Sequence, residues 1–394
     1  MGIGMRALAA AVLAAAPAGE LRVISDFPGG SARVEGIDPA TRTIRILPAA
    51  HPGRGWDCWW YFRVEGLSPG ETVVLDVGGG VWATPDRAAM SADGKSWRQT
   101  PPGERHAKDR IRYRVQAPGC AAWFAWGPPF VLADAREAVE GAVRACPDGA
   151  RGFELCRSRE GRPVPAARLG PAGEAREAVW IQARQHAWES GSSWVARGFL
   201  EWLASDDARA RALRARAEVV VVPIMDVDNV ERGAGGKEQK PQDHNRDWSE
   251  DPHWPEVRAA QAELSRWIEA GRAALFVDLH NPGARDRDPY FYVPPRDLLT
   301  EEGRAGLEVL LASARAEITG PLRFTGRVEE SGAGYDPRWE RISKNWVTRR
   351  SSGRVPAVTL ETAWNTSSST AEGYRRVGRE LGLAVERTLR ERKP

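Results

Sequence analysis

His186 and Glu189 stand three residues apart, a spacing at which an imidazole and a carboxylate can both reach one metal ion. With six His and 53 acidic residues in 394, about one His-x-x-acid pair is expected by chance, and four occur. They are His106 with Asp109, His186 with Glu189, His244 with Asp247 and His253 with Glu256. Local context separates them. Only His186 follows an apolar run, Ala178-Val179-Trp180-Ile181, and precedes a Gly/Ser segment that leads into an amphipathic stretch (Trp194, Val195, Phe199, Trp202, Leu203). That order is strand, loop, helix, and in open α/β sheets sites form outside the carboxyl ends of the strands.

A second histidine closes the run Phe276-Val277-Asp278-Leu279-His280. If the two strands are parallel neighbours, His280 emerges at the same sheet edge as His186 and Glu189. Two His and one carboxylate leave an open position on a tetrahedral Zn²⁺, the catalytic arrangement rather than the structural one. Asp278 lies two residues before His280 and so on the same side of the strand. It can orient the histidine from behind or serve as a buried structural Asp, and both readings stand. A third strand ends in Val358-Thr359-Leu360-Glu361. A Glu at that edge that does not bind the metal can take a proton from the attacking water. In Asp243-His244-Asn245-Arg246-Asp247, Arg246 can hold a carboxylate with both arms of its guanidinium while Asn245 donates beside it. The alternative for that segment is an ordinary surface loop.

The elements that must position these residues fall into two patterns. Short alternating runs at 43–46, 59–64, 72–77, 111–115 and 123–126, separated by Gly/Pro turns, predict an all-β sandwich over residues 19–129. Its tryptophans (Trp56, Trp59, Trp60, Trp82, Trp97) are read as core and domain-interface packing rather than a carbohydrate platform. Gly127-Pro128-Pro129 marks the boundary. From residue 130 to 394 helix and strand patterns alternate. Continuous apolar runs such as Val219-Val220-Val221-Val222 predict strands buried on both faces, hence an α/β domain with a mixed, mostly parallel sheet covered by helices. The last helix is expected to open with the capping-box sequence Ser369-Thr370-Ala371-Glu372.

Composition bounds the partners. The chain carries 56 basic and 53 acidic residues, a net charge of +3, which gives no basic face for nucleic acid. Residues 1–18, with Arg6, an Ala-rich apolar stretch and Ala16-Pro17-Ala18, read as a signal peptide for secretion or the periplasm. A cytoplasmic protein with an Ala-rich tail is the alternative. No other run is long enough to insert in a membrane. The four cysteines fit one or two disulfides, with Cys58 to Cys120 and Cys146 to Cys156 expected.

Taken together, His186-x-x-Glu189, Asn245-Arg246, Asp278-Leu279-His280 and Glu361, in that order, resemble the M14 zinc carboxypeptidases. The nearest branch is the cytosolic-carboxypeptidase-like one, whose members carry a β-sandwich before the catalytic domain. Ser158-Arg159-Glu160-Gly161-Arg162 resembles the turn before that family's second strand. The resemblance implies a carboxypeptidase-like fold, Zn²⁺ on His186, Glu189 and His280, Glu361 as general base, and Asn245 with Arg246 on the terminal carboxylate of a peptide or protein. It also implies an oxyanion-stabilising Arg, for which Arg232 is the candidate and Lys237 the rival, and a substrate-closing Tyr, for which Tyr335 is the candidate. The chain departs from the family in having Trp188 where many members have Arg, and Asp226-Val227-Asp228-Asn229 where Asn-Pro-Asp-Gly is usual. Lys344, Arg349, Arg350 and Arg354 before Glu361 can form a basic pocket for an acidic last residue or be solvated charges on a loop, and both readings stand. Amidase action on cell-wall peptides and an inactive binding protein built on the Trp-rich sandwich are the competing readings.

Overall fold

The computed structural model describes residues 19–171 and 177–392, so the expected signal at 1–18 lies outside the described residues. Residues 22–125 form two five-stranded sheets. Alternation decides which way their strands face. In Thr43–Leu47, Ile44 and Ile46 are fully buried while the residues between them are not, and Ile111, Tyr113 and Val115 repeat the pattern in Arg110–Gln116. These side chains meet Phe62, Val64 and Phe124 of the other sheet in one core, which makes the pair a sandwich. Its strand pairs are antiparallel except Thr43–Leu47 with Thr72–Gly78.

The second core is built on an eight-stranded sheet. Its middle four strands, in the order Ala217–Val222, Glu177–Ala183, Ala273–His280 and Ala357–Glu361, are mutually parallel. Antiparallel strands flank them: Pro163–Leu169 on one side and Tyr290–Val293 on the other. Val219 to Val222 and Val179 to Ile181 are wholly buried because helices cover both faces of the middle strands. Burying each such side chain stabilises the fold by roughly 1.5–3 kcal/mol before entropy is counted.

Helices Ser190–Leu203 and Ala371–Glu391 make the tightest helix pair. A Cβ on Gly198 would lie 2.0 Å from the Arg375 carbonyl oxygen, and one on Gly378 2.0 Å from that of Val195, so only glycine permits the approach. The helix that follows the His186 loop is thereby fixed against the C-terminal helix. That last helix is capped by Thr370, whose Oγ1 accepts from the Gly373 amide, and not by Ser369. The Ser369 hydroxyl closes the preceding turn instead, accepting from the Thr366 amide and donating to the Ala363 carbonyl.

The Ser158–Arg162 segment turns a hairpin between Ala150–Arg157 and Pro163–Leu169, two strands the apolar pattern does not announce. The expected disulfides are corrected: all four cysteines are free. Cys58 is buried in the sandwich core while Cys120 is exposed; Cys146 caps a helix while Cys156 lies in the hairpin. Among the described residues no helix is long and apolar enough to cross a membrane.

Candidate active site

Parallel register brings three strand ends to one edge. Ala183 is paired with Leu279, and His280 with Glu361, so the His186 loop, His280 and Glu361 emerge together. Asn281 ties the ends: its amide donates to Glu189 Oε2 (3.2 Å), its Nδ2 donates to the Thr362 carbonyl (2.6 Å), and its Oδ1 accepts from the Ser192 amide (3.2 Å). Arg184, buried and in the left-handed region (φ 65°), holds the loop from beneath by donating to the carbonyls of Ala187 (2.7 Å) and Phe130 (3.1 Å) and to Ser193 Oγ (3.2 Å).

His186, Glu189 and His280 are all buried, and their ligand atoms lie within 4.8 Å of one another. The Nδ1 atoms of His186 and His280 face the Glu189 carboxylate at 2.7 and 2.8 Å. Each opposite ring nitrogen is held by a carboxylate: His186 Nε2 by Asp243 (3.2 Å) and His280 Nε2 by Asp278 (2.9 Å). With an ion bound, these carboxylates would hold a proton on each Nε2 and leave both Nδ1 lone pairs for the metal, the arrangement seen behind metal-bound imidazoles. Two nitrogens and one carboxylate oxygen are the donor set of a catalytic zinc, so the residues present fit the ion. Asp278 is the orienting residue, itself held by Gln185 Nε2 (2.6 Å) and Ser343 Oγ (2.7 Å).

Electrostatics divide the two glutamates. Burial disfavours ionisation of Glu189, yet the imidazoles of His186 and His280 hold its carboxyl down at about 2. Burial pushes Glu361 up, against the opposing pull of His280 and with Glu189 adding to the rise. Glu361 Oε2 has no hydrogen-bond partner although it is buried, and the residue lines the cleft. A buried carboxylate oxygen without a partner is available to water or substrate.

Asn245 and Arg246 also line the cleft. Arg246 donates through Nε to Asp336 (2.8 Å) and lies 5.9 Å over the ring of Tyr335. Tyr335 lines the cleft and is 46% exposed. Of the four basic residues expected around the last side chain, only Lys344 is at the cleft. Arg349 faces Glu340, Arg350 faces Glu269 and Arg354 donates to the Ser351 carbonyl. A helix over Ser343–Arg350 explains the split, because residues five and six positions after Lys344 point elsewhere. Burial, with the charge of Arg246 next, pulls Lys344 down to about 7.

Arg232 is not at the cleft. Its Nε donates to both oxygens of Glu160 (2.8 and 2.9 Å), beside Arg54 and Arg162 on the same carboxylate. Lys237 lines the cleft instead. Gly236 (φ 78°) makes this possible: a Cβ there would meet the Ala187 amide nitrogen at 2.7 Å, so the Lys237 loop packs directly on the metal loop. The sandwich tryptophans divide as well. Trp59 and Trp60 are core, whereas Trp56 and Trp82 line the cleft. Sequence reasoning missed Asp243, Arg184, Gln185 and Ser343 as supports and Tyr290 and Tyr292 as lining residues. A local signal existed only for Asp243, which precedes the Asn245-Arg246 pair.

Comparison with known proteins agrees with this geometry. The sequence profile of the zinc carboxypeptidase family matches residues 136–284. Among curated proteins, an uncharacterised protein of Zymomonas mobilis is 29% identical over 199 residues, 49% of this chain and 50% of that one. Cytosolic carboxypeptidase 3 of Mus musculus is 33% identical over 114 residues, 28% of this chain and 11% of that one. The chain thus spans half or less of the length of these relatives. Among solved structures, a metallo-carboxypeptidase from Burkholderia cenocepacia superposes with a TM-score of 0.79 at 20% identity, covering 94% of this chain and 99% of that one. One from Pseudomonas aeruginosa gives 0.78 at 20%, covering 94% and 100%. At such identity the likeness is one of fold, and it includes the sandwich.

Proposed function

We propose that this chain is a zinc carboxypeptidase, a reading supported by the match of that family's profile to residues 136–284, and that it hydrolyses the last peptide bond of peptides or proteins. The observation that carries the reading is the convergence of the His186, Glu189 and His280 ligand atoms with Glu361, Asn245 and Arg246 in one cleft. His186, Glu189 and His280 hold Zn²⁺, which when bound supplies a Lewis acid for the scissile carbonyl and acidifies water. Glu361 accepts the proton of the attacking water and returns it to the leaving amine. Asn245 and Arg246 bind the terminal carboxylate and so set which bond is in reach. Lys237, rather than Arg232, lies where charge can be placed beside the oxyanion. Tyr335 closes over the occupant. Lys344 faces the last side chain and favours a carboxylate there.

Export after cleavage behind Ala18 is part of the proposal; N-terminal sequencing of the protein from cell fractions tests it. The activity is tested with zinc-loaded protein and peptides that differ only in the last residue. Release of that residue alone, fastest for Glu or Asp, is the expected result. Cleavage confined to muropeptides would favour the amidase reading, and absence of both stoichiometric zinc and hydrolysis would favour a binding protein.

A further inference from the structure

Two groups of side chains wall the cleft, and each is held together by its own contacts. In the first, Arg246 lies 5.9 Å over Tyr335, Tyr335 is 5.0 Å from Tyr292, and the Lys344 ammonium is 5.6 Å over Tyr292. In the second, Trp56 and Trp82 of the sandwich stand 4.8 Å apart, Lys237 lies 5.7 Å over Trp56, and Trp82 meets Trp188 at 5.8 Å. Among the described residues no ring stacking or cation contact joins one group to the other. Both groups line the same cleft as His186, Glu189, His280 and Glu361.

A peptide with its terminal carboxylate on Arg246 and its last side chain toward Lys344 has its first wall taken. Its acyl half must run along the second. We propose that Trp56 and Trp82 form the subsite for the residue preceding the scissile bond, and that it selects a planar aromatic side chain. This rests on the carboxypeptidase reading of the cleft.

Three observations support the assignment. Both tryptophans are only partly buried, unlike Trp59 and Trp60, so ring surface is left for an occupant. The shelf is bonded to the loop that carries Lys237: the Trp56 amide donates to the Lys237 carbonyl (3.0 Å) and the Gly236 amide to that of Arg54 (2.8 Å). It therefore keeps its register with the reacting centre. Behind it, Trp188, 1% exposed, is wedged edge-on against Trp126 and Trp364, so Trp82 cannot recede without moving the neighbour of Glu189. Indole pairs at this tilt and spacing accept a further aromatic ring edge-on or offset. The β-sandwich is on this account a wall of the active site.

The test uses full-length zinc-loaded protein with N-acetyl-X-Glu, X being Phe, Leu or Gly, or with whichever last residue the panel above selects. Cleavage by the parent is read as kcat/KM, and binding to a Glu361→Gln background is read by calorimetry. A preference for Phe over Gly of about tenfold or more is expected in both measurements. Trp82→Ala and the milder Trp82→Phe and Trp56→Leu should shrink that ratio toward one, the ratio cancelling any loss common to both peptides, with melting temperatures checked on each. A parent ratio near one, or a ratio retained in the variants, overturns the proposal. So does tighter binding of an amino-sugar-bearing peptide than of the Phe peptide, lost in the same variants. Cleavage without regard to X sinks this inference alone; neither cleavage nor binding of any peptide sinks the carboxypeptidase reading with it.

Discussion

His280 and Glu361 are direct partners across two neighbouring parallel strands, the last residue of one beside the last residue of the other. Backbone register therefore brings the proposed metal ligand and the proposed general base side by side at one sheet edge. Glu361→Gln should keep zinc and fold and lose about 10²- to 10⁴-fold in turnover, because the amide matches the carboxylate in shape but takes no proton. Zinc content, melting temperature and hydrolysis on one preparation check this. Activity within tenfold of the parent would refute the base assignment, and loss of zinc would make Glu361 a ligand.

Replacing His186 or His280 with Ala should strip the zinc, since two protein ligands hold it far less tightly than three. Asp243→Ala should weaken it more mildly, by about 10- to 100-fold, because the His186 ring then loses the partner that fixes its tautomer. Metal titration against a competing chelator reads both. Equal zinc affinity in parent and Asp243→Ala would remove Asp243 from the site.

Lys237→Ala should cost about 10²- to 10³-fold in kcat, whereas Arg232→Ala should stay within tenfold, since its guanidinium is committed to Glu160 outside the cleft. The reverse ranking would restore Arg232 as the oxyanion residue.

Lys344 sits at about 7, lowered by burial and then by Arg246. Below that pH it is charged and should favour a carboxylate on the last side chain; above it the preference should fade. The ratio of kcat/KM for Glu-terminated over Gln-terminated peptides isolates this, because ionisations common to both substrates cancel. The ratio should fall as pH rises through about 7 in the parent and be flat in Lys344→Met. A flat parent ratio would show that Lys344 does not read the side chain.

Glu160 joins Arg54 of the sandwich to Arg162 and Arg232 of the second unit. Burial opposes its charge, but Arg232, Arg162 and Arg54 hold its carboxyl at about 2. This lies below the roughly 4.3 of an unfolded Glu. The stability it contributes is thus full above that value and is lost as pH falls toward 2. In urea melts, the gap between parent and Glu160→Gln should be widest near pH 6 and close on acidification. A gap independent of pH would show that the charge contributes nothing.

Much of the site was legible because its residues sit where local patterns change. His186, His280 and Glu361 each end an apolar run or follow one, so strand ends could be found from periodicity and chemistry from residue type. The continuous valines at 219–222 announced a doubly covered sheet for the same reason. What the sequence alone could not decide depended on contacts between distant segments. Arg232 and Lys237 share one short stretch, and only the packing of Gly236 on the Ala187 amide, with Glu160 arriving from a hairpin some seventy residues earlier, puts one at the cleft and the other outside it. Lys344, Arg349 and Arg350 are alike in composition, and the helix over Ser343–Arg350 separates them. Trp56 and Trp82 read as core or domain-interface packing, and their place at a cleft is not legible because a tryptophan's neighbours are not encoded near it. Their place at the cleft is set by how the sandwich seats on the catalytic sheet, a property of tertiary packing that no local pattern contains.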